Sequence, residues 1–328
     1  MIHFRPFRNP DPPALLKLWN AAVPESVAAR PLRVHELDDQ AFNPVIFDPR
    51  GLIVAERDGR PVGFVHAGFG PDETHPELPF HLDHDLGVVS MLAAEPGDEE
   101  AAVAQALVVE AERYLRSKGA KVLYGGGRFP LNPFYWGIYG GSEASGVPSS
   151  HNRFSSALSS LGYEPIGTAV HLHFDLTRPD PRDPRAAILR RQLNLQFDED
   201  HLPTSWWENI ALGDFHPIYA SLRSRDDGAE VARAKTWDMS AFGRVDGRAR
   251  LGVFDVEVAA THRRNGYGRF LMGEVVREAR ERGFQVVEVQ TLAENEPALA
   301  FYQALDFEPV EQSTVFRLPA PFPDRSRP

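Results

Sequence analysis

The residues whose types and spacing could carry chemistry lie in the stretch Val256–Met272, where a β-branched strand meets an amphipathic helix across a turn with two glycines. Gly266 and Gly268 would allow positive φ and let the backbone approach a ligand closely. The free amides at the start of the helix form an anion site, so the backbone from Asn265 to Arg269 could hold a pyrophosphate. Three arginines would add positive charge: Arg263, Arg264 and Arg269. The glycine spacing alone is nevertheless more typical of an ordinary strand-to-helix turn with a solvated basic rim.

Two common phosphate-binding motifs do not fit this stretch. A Rossmann motif needs a third glycine, where this chain has Leu271, and an acidic residue about 20 positions later at the end of a strand. A Walker loop needs Gly-Lys-Ser/Thr, which does not occur in the chain. The remaining pattern is Arg-x-x-Gly-x-Gly, preceded on the strand by Val256 and Val258.

This pattern strongly resembles the acetyl-CoA-binding segment of the GNAT superfamily of N-acetyltransferases, and a second stretch extends the resemblance. Residues 294–309 are similar to the family's later motif, in which an asparagine precedes a short helix that carries a tyrosine. Asn295 and Tyr302 match that motif at the family spacing. Asp306 stands where the family usually has glycine, but aspartate tolerates the left-handed conformation better than most residues, so we expect the turn to be kept.

The resemblance assigns a role to each matched residue. Val256 and Val258 would lie on the strand whose backbone hydrogen-bonds the pantetheine arm of acetyl-CoA, and Asn295 would fix the cofactor or the splayed strand. Tyr302 would be the general acid that returns a proton to the departing thiolate; a phenol with a pKa near 10 and a thiol with a pKa near 8.5 make this transfer nearly balanced. The alternative for Tyr302 is a packing role beside its apolar neighbours. The pyrophosphate would be cradled by Arg263, Arg264, Asn265, Gly266, Tyr267, Gly268 and Arg269.

The general base is the weakest part of the match. Many relatives place a carboxylate or histidine nine or eleven residues before the matched arginine, where this chain has Phe254 and Gly252. Glu288, on the adjacent predicted strand, is the first candidate for the base, and Glu257 is the second. Either one could instead be a solvated strand carboxylate. Glu257 should face away from its valine neighbours by strand alternation unless a bulge re-aims it.

The order of elements predicts two similar units joined by a linker. Leu86–Ala94 resembles Leu251–Ala259, and Leu161–Ile166 resembles Leu305–Val310, with a glycine-terminated helix between them in both halves. We therefore expect an α/β fold of two GNAT-like domains, each with a mixed, mostly antiparallel sheet flanked by helices. The expected bounds are a degenerate domain at 1–177, a proline-rich linker at 178–185, a catalytic domain at 186–318 and a tail at 319–328.

The first unit lacks the features that would bind the cofactor. Opposite the arginine and glycine pattern it has Asp98–Val103, with three carboxylates and no glycine, and Leu158 stands opposite Tyr302. We expect this unit to support the second one or to shape the acceptor pocket. Its stretch Gly125–Gly141, rich in glycine and aromatic residues, is either a binding loop or an ordinary long connection.

Composition excludes several classes of function. The net charge of -11 leaves no basic field for general nucleic-acid binding, and the lack of cysteine removes disulfides, thiolate zinc sites and a cysteine nucleophile. There is no signal-peptide pattern and no apolar run of about 18 residues, so we expect a cytoplasmic protein without a membrane partner. His75, His81, His84 and Asp83 cluster in one loop, but their spacing matches no metal motif and we expect no metal.

The resemblance implies an N-acetyltransferase that moves an acetyl group from acetyl-CoA to an amine by direct attack. An intact Tyr302 together with intact glycines favours an enzyme over the alternative, a catalytically silent module in which acyl-CoA is a sensor or structural ligand. Transfer of a longer acyl group, or transfer to a hydroxyl, stays open because variable loops form the acceptor pocket. We expect a small-molecule or peptide amine as the acceptor.

Overall fold

The structure, a computed structural model, describes residues 1–25, 33–42, 44–75, 78–181, 183–199, 201–203, 205–212 and 215–323. Its strands are β1 Ile2–Pro6, β2 Leu52–Arg57, β3 Arg60–Pro71, β4 Leu82–Ala94, β5 Val122–Gly125, β6 Val147–Pro148, β7 Glu164–Asp175, β8 Leu193–Asp198, β9 Ile218–Ser224, β10 Glu230–Asp238, β11 Arg250–Val258, β12 Val286–Leu292 and β13 Glu308–Leu318. Its α-helices are α1 Pro12–Ala22, α2 Val34–Leu37, α3 Glu100–Ser117, α4 Asn152–Ser160, α5 Ala186–Gln192, α6 Trp206–Leu212, α7 Tyr267–Glu281 and α8 Glu296–Gln303.

One mixed sheet contains all of these strands. Its order is β1-β2-β3-β4-β5-β13-β7-β12-β11-β10-β9-β8, with β6 paired to β13 beside this path. The neighbours β4 and β5 are parallel, as are β11 and β12, and a helix joins the two strands of each pair, α3 in the first case and α7 in the second. The predicted mixed sheet flanked by helices is confirmed, and the two strand-helix-strand units occupy corresponding places in the two similar halves.

The last strand of each half lies beside the other half. Strand β12 pairs over its whole length with the second part of β7, from Ala169 opposite Leu292 to Asp175 opposite Val286. Strand β13 lies between β5 and β7 and pairs with both. Separating the halves would expose unpaired strand edges on each side, which is unfavourable in water. The exchange therefore makes one continuous sheet of two units that the sequence predicts as consecutive domains.

The predicted domain bounds stay a prediction from the sequence. The described residues of the linker 178–185 form no helix or strand, and Asp180 within it forms an ion pair with Arg280 of α7. The described part of the tail, 319–323, also forms neither, and the Arg116 guanidinium of α3 lies 4.6 Å from the centre of the Phe322 ring. Residues 324–328 of the predicted tail lie outside the described residues.

Tryptophans of the second half hold the long loop of the first half in place. We call residues 126–146 the glycine-rich loop; a β-bridge between Arg128 and Ser145 closes its neck. Trp237 on β10 is fully buried and donates its indole N–H to the Ser142 carbonyl at 2.9 Å. Trp207 on α6 donates to the Pro130 carbonyl at 2.7 Å. Because buried indole N–H groups need partners, these bonds fix the loop against the second half.

Among the helices of the described residues, none combines the length and the hydropathy that a membrane span requires.

Candidate active site

Strands β11 and β12 run together for only three residues and then part. Their pairing extends from Arg250 opposite Val286 to Gly252 opposite Glu288. We call the space beyond, between residues 253–258 of β11 and residues 289–292 of β12, the β11–β12 gap. Backbone amides and carbonyls of β11 that face this gap have no partner on β12, so they are open to an extended ligand.

A bulge on β11 lies beside the gap. The register against β10 shifts between Arg233 and Lys235, and Asp255 has a φ of 50°. Such a conformation is uncommon outside glycine, and bulges of this kind re-aim side chains near functional sites. Val256 and Val258 remain partly buried against the core of the second half, as strand alternation requires.

A cavity of about 600 Å³ extends from the gap to the start of α7 and to α8. Tyr302 lines it from the end of α8. Six of the residues predicted to bind the cofactor also line it: Val256, Val258, Arg263, Arg264, Gly268 and Asn295. Motifs that are separate in the sequence thus meet around one space, which is lined by Gly268 in the first turn of α7 and by Tyr302.

The two glycines of the turn are needed for different reasons. Gly266 caps α7 with a φ of 82°, which suits glycine. At Gly268, an added Cβ would lie 3.2 Å from Val258 Cγ2 and 3.4 Å from a ring carbon of Phe301, so the absence of a side chain lets α7 approach the cavity wall. The first turn of α7 therefore presents its free amides close to the cavity.

Four of the predicted cradle residues do not line the cavity: Gly266, which caps α7, and Asn265, Tyr267 and Arg269. Arg269 donates to the Ala304 carbonyl at 3.0 Å and so ties α7 to the end of α8. Asn265 donates its amide to the His262 carbonyl at 3.2 Å, and the Tyr267 ring lies 6.0 Å from the His262 ring. These contacts stabilise the shape of the turn.

Sequence reasoning missed one cation beside the turn. Arg185, the last residue of the predicted linker, has its Nη1 atom 3.5 Å from the point where a Cβ on Gly266 would lie. Its guanidinium therefore lies over the first turn of α7, where an anion is favoured. The linker composition gave no signal for this placement.

Helix α8 positions Tyr302. Asn295 caps the helix and accepts a hydrogen bond from the Ala298 amide at 3.2 Å. Tyr302 is buried, and its pKa is raised well above the usual value by burial and by the nearby negative charge of Glu143. Asp306 has a φ of 62°, so the left-handed turn after α8 is kept without glycine, which confirms the expectation from sequence.

Each of the two carboxylates predicted as the base is already in contact with a basic side chain. Glu288 is buried, with Oε2 2.9 Å from His173 Nε2 and 3.5 Å from Arg250 Nε. Burial alone would raise the pKa of Glu288, but the charge and hydrogen bond of His173 and the charges of two arginines hold this pKa well below its usual range. Glu257 is exposed and lies 2.7 Å from Arg233 Nη2. A carboxylate with so low a pKa accepts protons poorly, so the surroundings of Glu288 argue against it as the base.

A third carboxylate, which sequence reasoning did not select, reaches this region from the first half. The half-buried side chain of Glu143, on the glycine-rich loop, lines a cavity together with Gln290 of β12. Burial is the main cause that raises the pKa of Glu143 to about 7. The only sequence signal for this residue is its position just after the glycine- and aromatic-rich stretch.

Residues 187–307 match the family model described as the acetyltransferase (GNAT) family. This segment is a GNAT domain. It contains every residue of the cavity described above. A comparison with curated proteins gave no match.

Solved structures share the fold of the whole chain, not of the GNAT domain alone. A tandem GNAT protein from the clavulanic acid biosynthesis pathway superposes with a TM-score of 0.66 at 16% identity, over 97% of this chain and 98% of that one. A GCN5-related N-acetyltransferase from Sphaerobacter thermophilus gives 0.63 at 15% identity, over 96% and 95%. The glucosamine N-acetyltransferase region of a fungal multi-domain β-N-acetylglucosaminidase gives 0.70 at 17% identity, over 97% of this chain and 38% of that one. The TM-scores show that these structures and this chain share a fold.

The first half differs from the GNAT domain at the place that corresponds to the glycine turn before α7. Carboxylates surround the start of α3, where Glu99 pairs with Arg57 and Glu95 lies 2.6 Å from Arg60. Leu158 is buried and closely packed on Gly125. Because Arg57 and Arg60 are already paired with carboxylates, they are not available to an anionic ligand here, which supports the prediction that the first half is a degenerate copy.

Of the four loop residues predicted to cluster, His75 and His81 lie together, but beside Asp72 and not beside the predicted Asp83. His75 and His81 each have Nδ1 within hydrogen-bond distance of Asp72 Oδ2, at 2.9 and 3.1 Å. Among the described residues, this is the group whose donor atoms lie close enough for a metal ion. His84 instead packs against Phe69, with ring centroids 4.6 Å apart and the ring planes tilted by 55°. The group shares no residue with the cavity of the GNAT domain.

Proposed function

We propose that the chain is an acetyl-CoA-dependent N-acetyltransferase in which an amine attacks the thioester directly and Tyr302 supplies the proton for the leaving sulfur. The observation that carries the proposal is the shared cavity of the GNAT domain, which both the first turn of α7, through Gly268, and Tyr302 line. Acetyl-CoA would supply an activated acyl group and a pyrophosphate.

The residues around the cavity fit that cofactor. Gly268 leaves the wall open where a Cβ would meet Val258, and the amides of α7 face an anion site. Arg263 and Arg264 line the cavity, and Arg185 adds a cation above the helix start. The unpaired edge of β11 offers backbone hydrogen bonds to an extended amide-bearing arm.

Tyr302 can hold and deliver a proton. Its raised pKa keeps the phenol neutral throughout the physiological range, so the proton is present when the thiolate forms. Because the phenol is buried, water competes poorly for this transfer.

The alternative is a silent module that binds acyl-CoA as a sensor or structural ligand. It would use the same cavity but needs no proton donor and no route for an amine. The presence of Tyr302 in the cavity favours the enzyme.

A screen for release of CoA tests the proposal. Amines are added with acetyl-CoA, and free CoA is measured with a thiol reagent, which the cysteine-free protein does not itself consume. The panel covers polyamines, amino acids, aminoglycosides, lysine peptides and glucosamine, the last because one structural neighbour is described as a glucosamine N-acetyltransferase region. We expect at least one amine to raise CoA release far above the rate without amine. Tight acetyl-CoA binding with no stimulation by any amine would support the sensor instead.

A further inference from the structure

The glycine-rich loop of the first half closes on β12 of the GNAT domain. Its backbone is held by Trp237, bonded to the Ser142 carbonyl, and by Arg244, whose Nη2 lies 2.6 Å from the Gly137 carbonyl. Ser145 Oγ lies 3.1 Å from His171 Nε2 on β7. These contacts lie on both sides of Glu143, so the position of this side chain is fixed by packing between the halves.

Glu143 is aimed at the strand that borders the gap. It lines one cavity with Gln290 of β12, and a Cβ on Gly141 would lie 2.2 Å from Gln290 Oε1, so only glycine allows this approach. Glu143 and Gln290 line this second cavity of about 340 Å³, together with Arg128 and Thr291. The cavity therefore borders the part of β12 from which β11 has already separated.

We propose that Glu143, contributed by the first half, is the general base of the transfer, and that the second cavity takes the amine acceptor. This inference rests on the proposed function. It gives the degenerate half a catalytic residue and makes the reaction depend on the exchange of strands that brings the two halves together.

The proton balance assigns separate tasks to the two residues. The acceptor ammonium gives one proton to the Glu143 carboxylate, and the freed lone pair forms the C–N bond to the acetyl carbon. The C–S bond breaks with its electron pair on sulfur, which takes the proton of Tyr302. The second proton lost by the nitrogen returns to the Tyr302 oxygen through water, and Glu143 releases its own proton to solvent. The net result is one amide, one thiol and one proton from an ammonium and a thioester.

The charged groups around Glu143 suit a base that works near neutrality. Burial raises the pKa of Glu143 most, and the Asp255 carboxylate on β11 adds to this, while the Gln290 hydrogen bond and Arg128 lower the pKa. His171 on β7 contacts the loop through Ser145, and burial lowers its pKa, so it is neutral here. The balance places the pKa of Glu143 at about 7, close to the value that serves general base catalysis best.

Glu143 also affects the acid. Its negative charge helps to raise the pKa of Tyr302. Once Glu143 has taken the proton of the amine, that charge is gone, and the pKa of Tyr302 falls toward the value for burial alone. The phenol thus becomes a better acid at the stage at which the sulfur needs its proton.

The test is the pH profile of Glu143→Gln with the best amine from the CoA-release screen. We expect kcat/KM to fall about 10²- to 10⁴-fold and the acidic limb near pH 7 to disappear, with the acetyl-CoA dissociation constant unchanged. Glu143→Asp keeps a carboxylate and should restore part of the rate together with the limb. Glu164→Gln, which removes an exposed carboxylate of the first half, is the matched control and should behave like the wild type.

Two outcomes separate this inference from the proposed function. If the wild type acetylates an amine and Glu143→Gln retains both the rate and the acidic limb, Glu143 is not the base, although the chain is still an acetyltransferase. If the wild type releases no CoA with any amine, the proposed function fails and this inference fails with it.

Discussion

The Glu288 carboxylate lies 2.9 Å from His173 Nε2, and this pair joins β12 of the GNAT domain to β7 of the first half. Arg250 Nε lies 3.5 Å from the same oxygen. A carboxylate, an imidazole and a guanidinium thus meet in the centre of the continuous sheet, where the strands of the two halves pair. The arrangement suggests that Glu288 stabilises the joint between the halves and does not take protons from a substrate.

Glu288→Gln should therefore reduce stability more than it affects the pH profile. Removing the carboxylate costs about 1–3 kcal/mol, because the buried Arg250 Nε and His173 Nε2 lose their acceptor while Arg250 keeps its pairing with Asp246 at 2.8 Å. Denaturant unfolding at pH 7 measures this cost. Glu278→Gln, which removes a solvent-accessible partner of Arg282 on α7, is the control and should cost about 0–1 kcal/mol. Equal effects in the two variants would contradict the assignment.

The pH dependence of that stability has a definite sign. The folded-state pKa of Glu288 lies below the unfolded value, so its stabilisation is complete above the unfolded pKa of about 4.3 and declines as the pH falls below it. The difference in unfolding free energy between the wild type and Glu288→Gln should thus shrink as the pH falls below about 4. A difference that grows on acidification would be inconsistent with a depressed pKa.

Gly268→Ala should weaken acetyl-CoA binding. The new Cβ would lie 3.2 Å from Val258 Cγ2 and would push the first turn of α7 from the cavity wall. We expect the dissociation constant from calorimetry to rise about tenfold, which corresponds to 1.4 kcal/mol. The control is Gly273→Ala on the same helix, where a Cβ meets open space; it should leave binding unchanged and stabilise the helix by about 1 kcal/mol. Equal affinities in both variants would show that the cofactor turn lies elsewhere.

Arg185→Ala should weaken acetyl-CoA binding modestly. The guanidinium lies over the start of α7 but is exposed, so we expect a two- to fivefold rise of the dissociation constant, within about 1 kcal/mol for a screened charge. The effect should shrink as salt is added. Arg191→Ala, which removes an exposed charge at the end of α5, serves as the control. If Arg191→Ala weakens binding as much, the effect is one of net charge and not of position.

The sequence predicted the parts of the site that local motifs encode. Val258, Gly268, Asn295 and Tyr302 were found because each belongs to a stretch with a fixed spacing, and the structure brings them to one cavity. Asp306 was predicted in the left-handed conformation because it stands where the family usually has glycine and because aspartate tolerates that conformation, and it is found there.

The features of the structure that the sequence did not predict depend on contacts between distant segments. Strands β7 and β13 have equivalent places in similar halves, so either pairing satisfies their alternation, and the sequence does not show that they exchange. Glu143 follows no local pattern, because Gln290, with which it lines a cavity, lies far along the chain. The bulge at Asp255 was considered only as a possibility, since aspartate in a strand carries no signal for a positive φ.

The most direct test of the account is the single-turnover rate of Tyr302→Phe with saturating acetyl-CoA and the best amine. The substitution removes only the hydroxyl from a ring that stays packed in the same cavity, so the acetyl-CoA dissociation constant should not change. We predict that the rate of acetyl transfer falls about 10²- to 10⁴-fold, because the sulfur must then leave without its proton donor. A rate equal to that of the wild type, at unchanged affinity, would contradict the assignment of Tyr302 as the general acid and leave it a packing residue of the cavity.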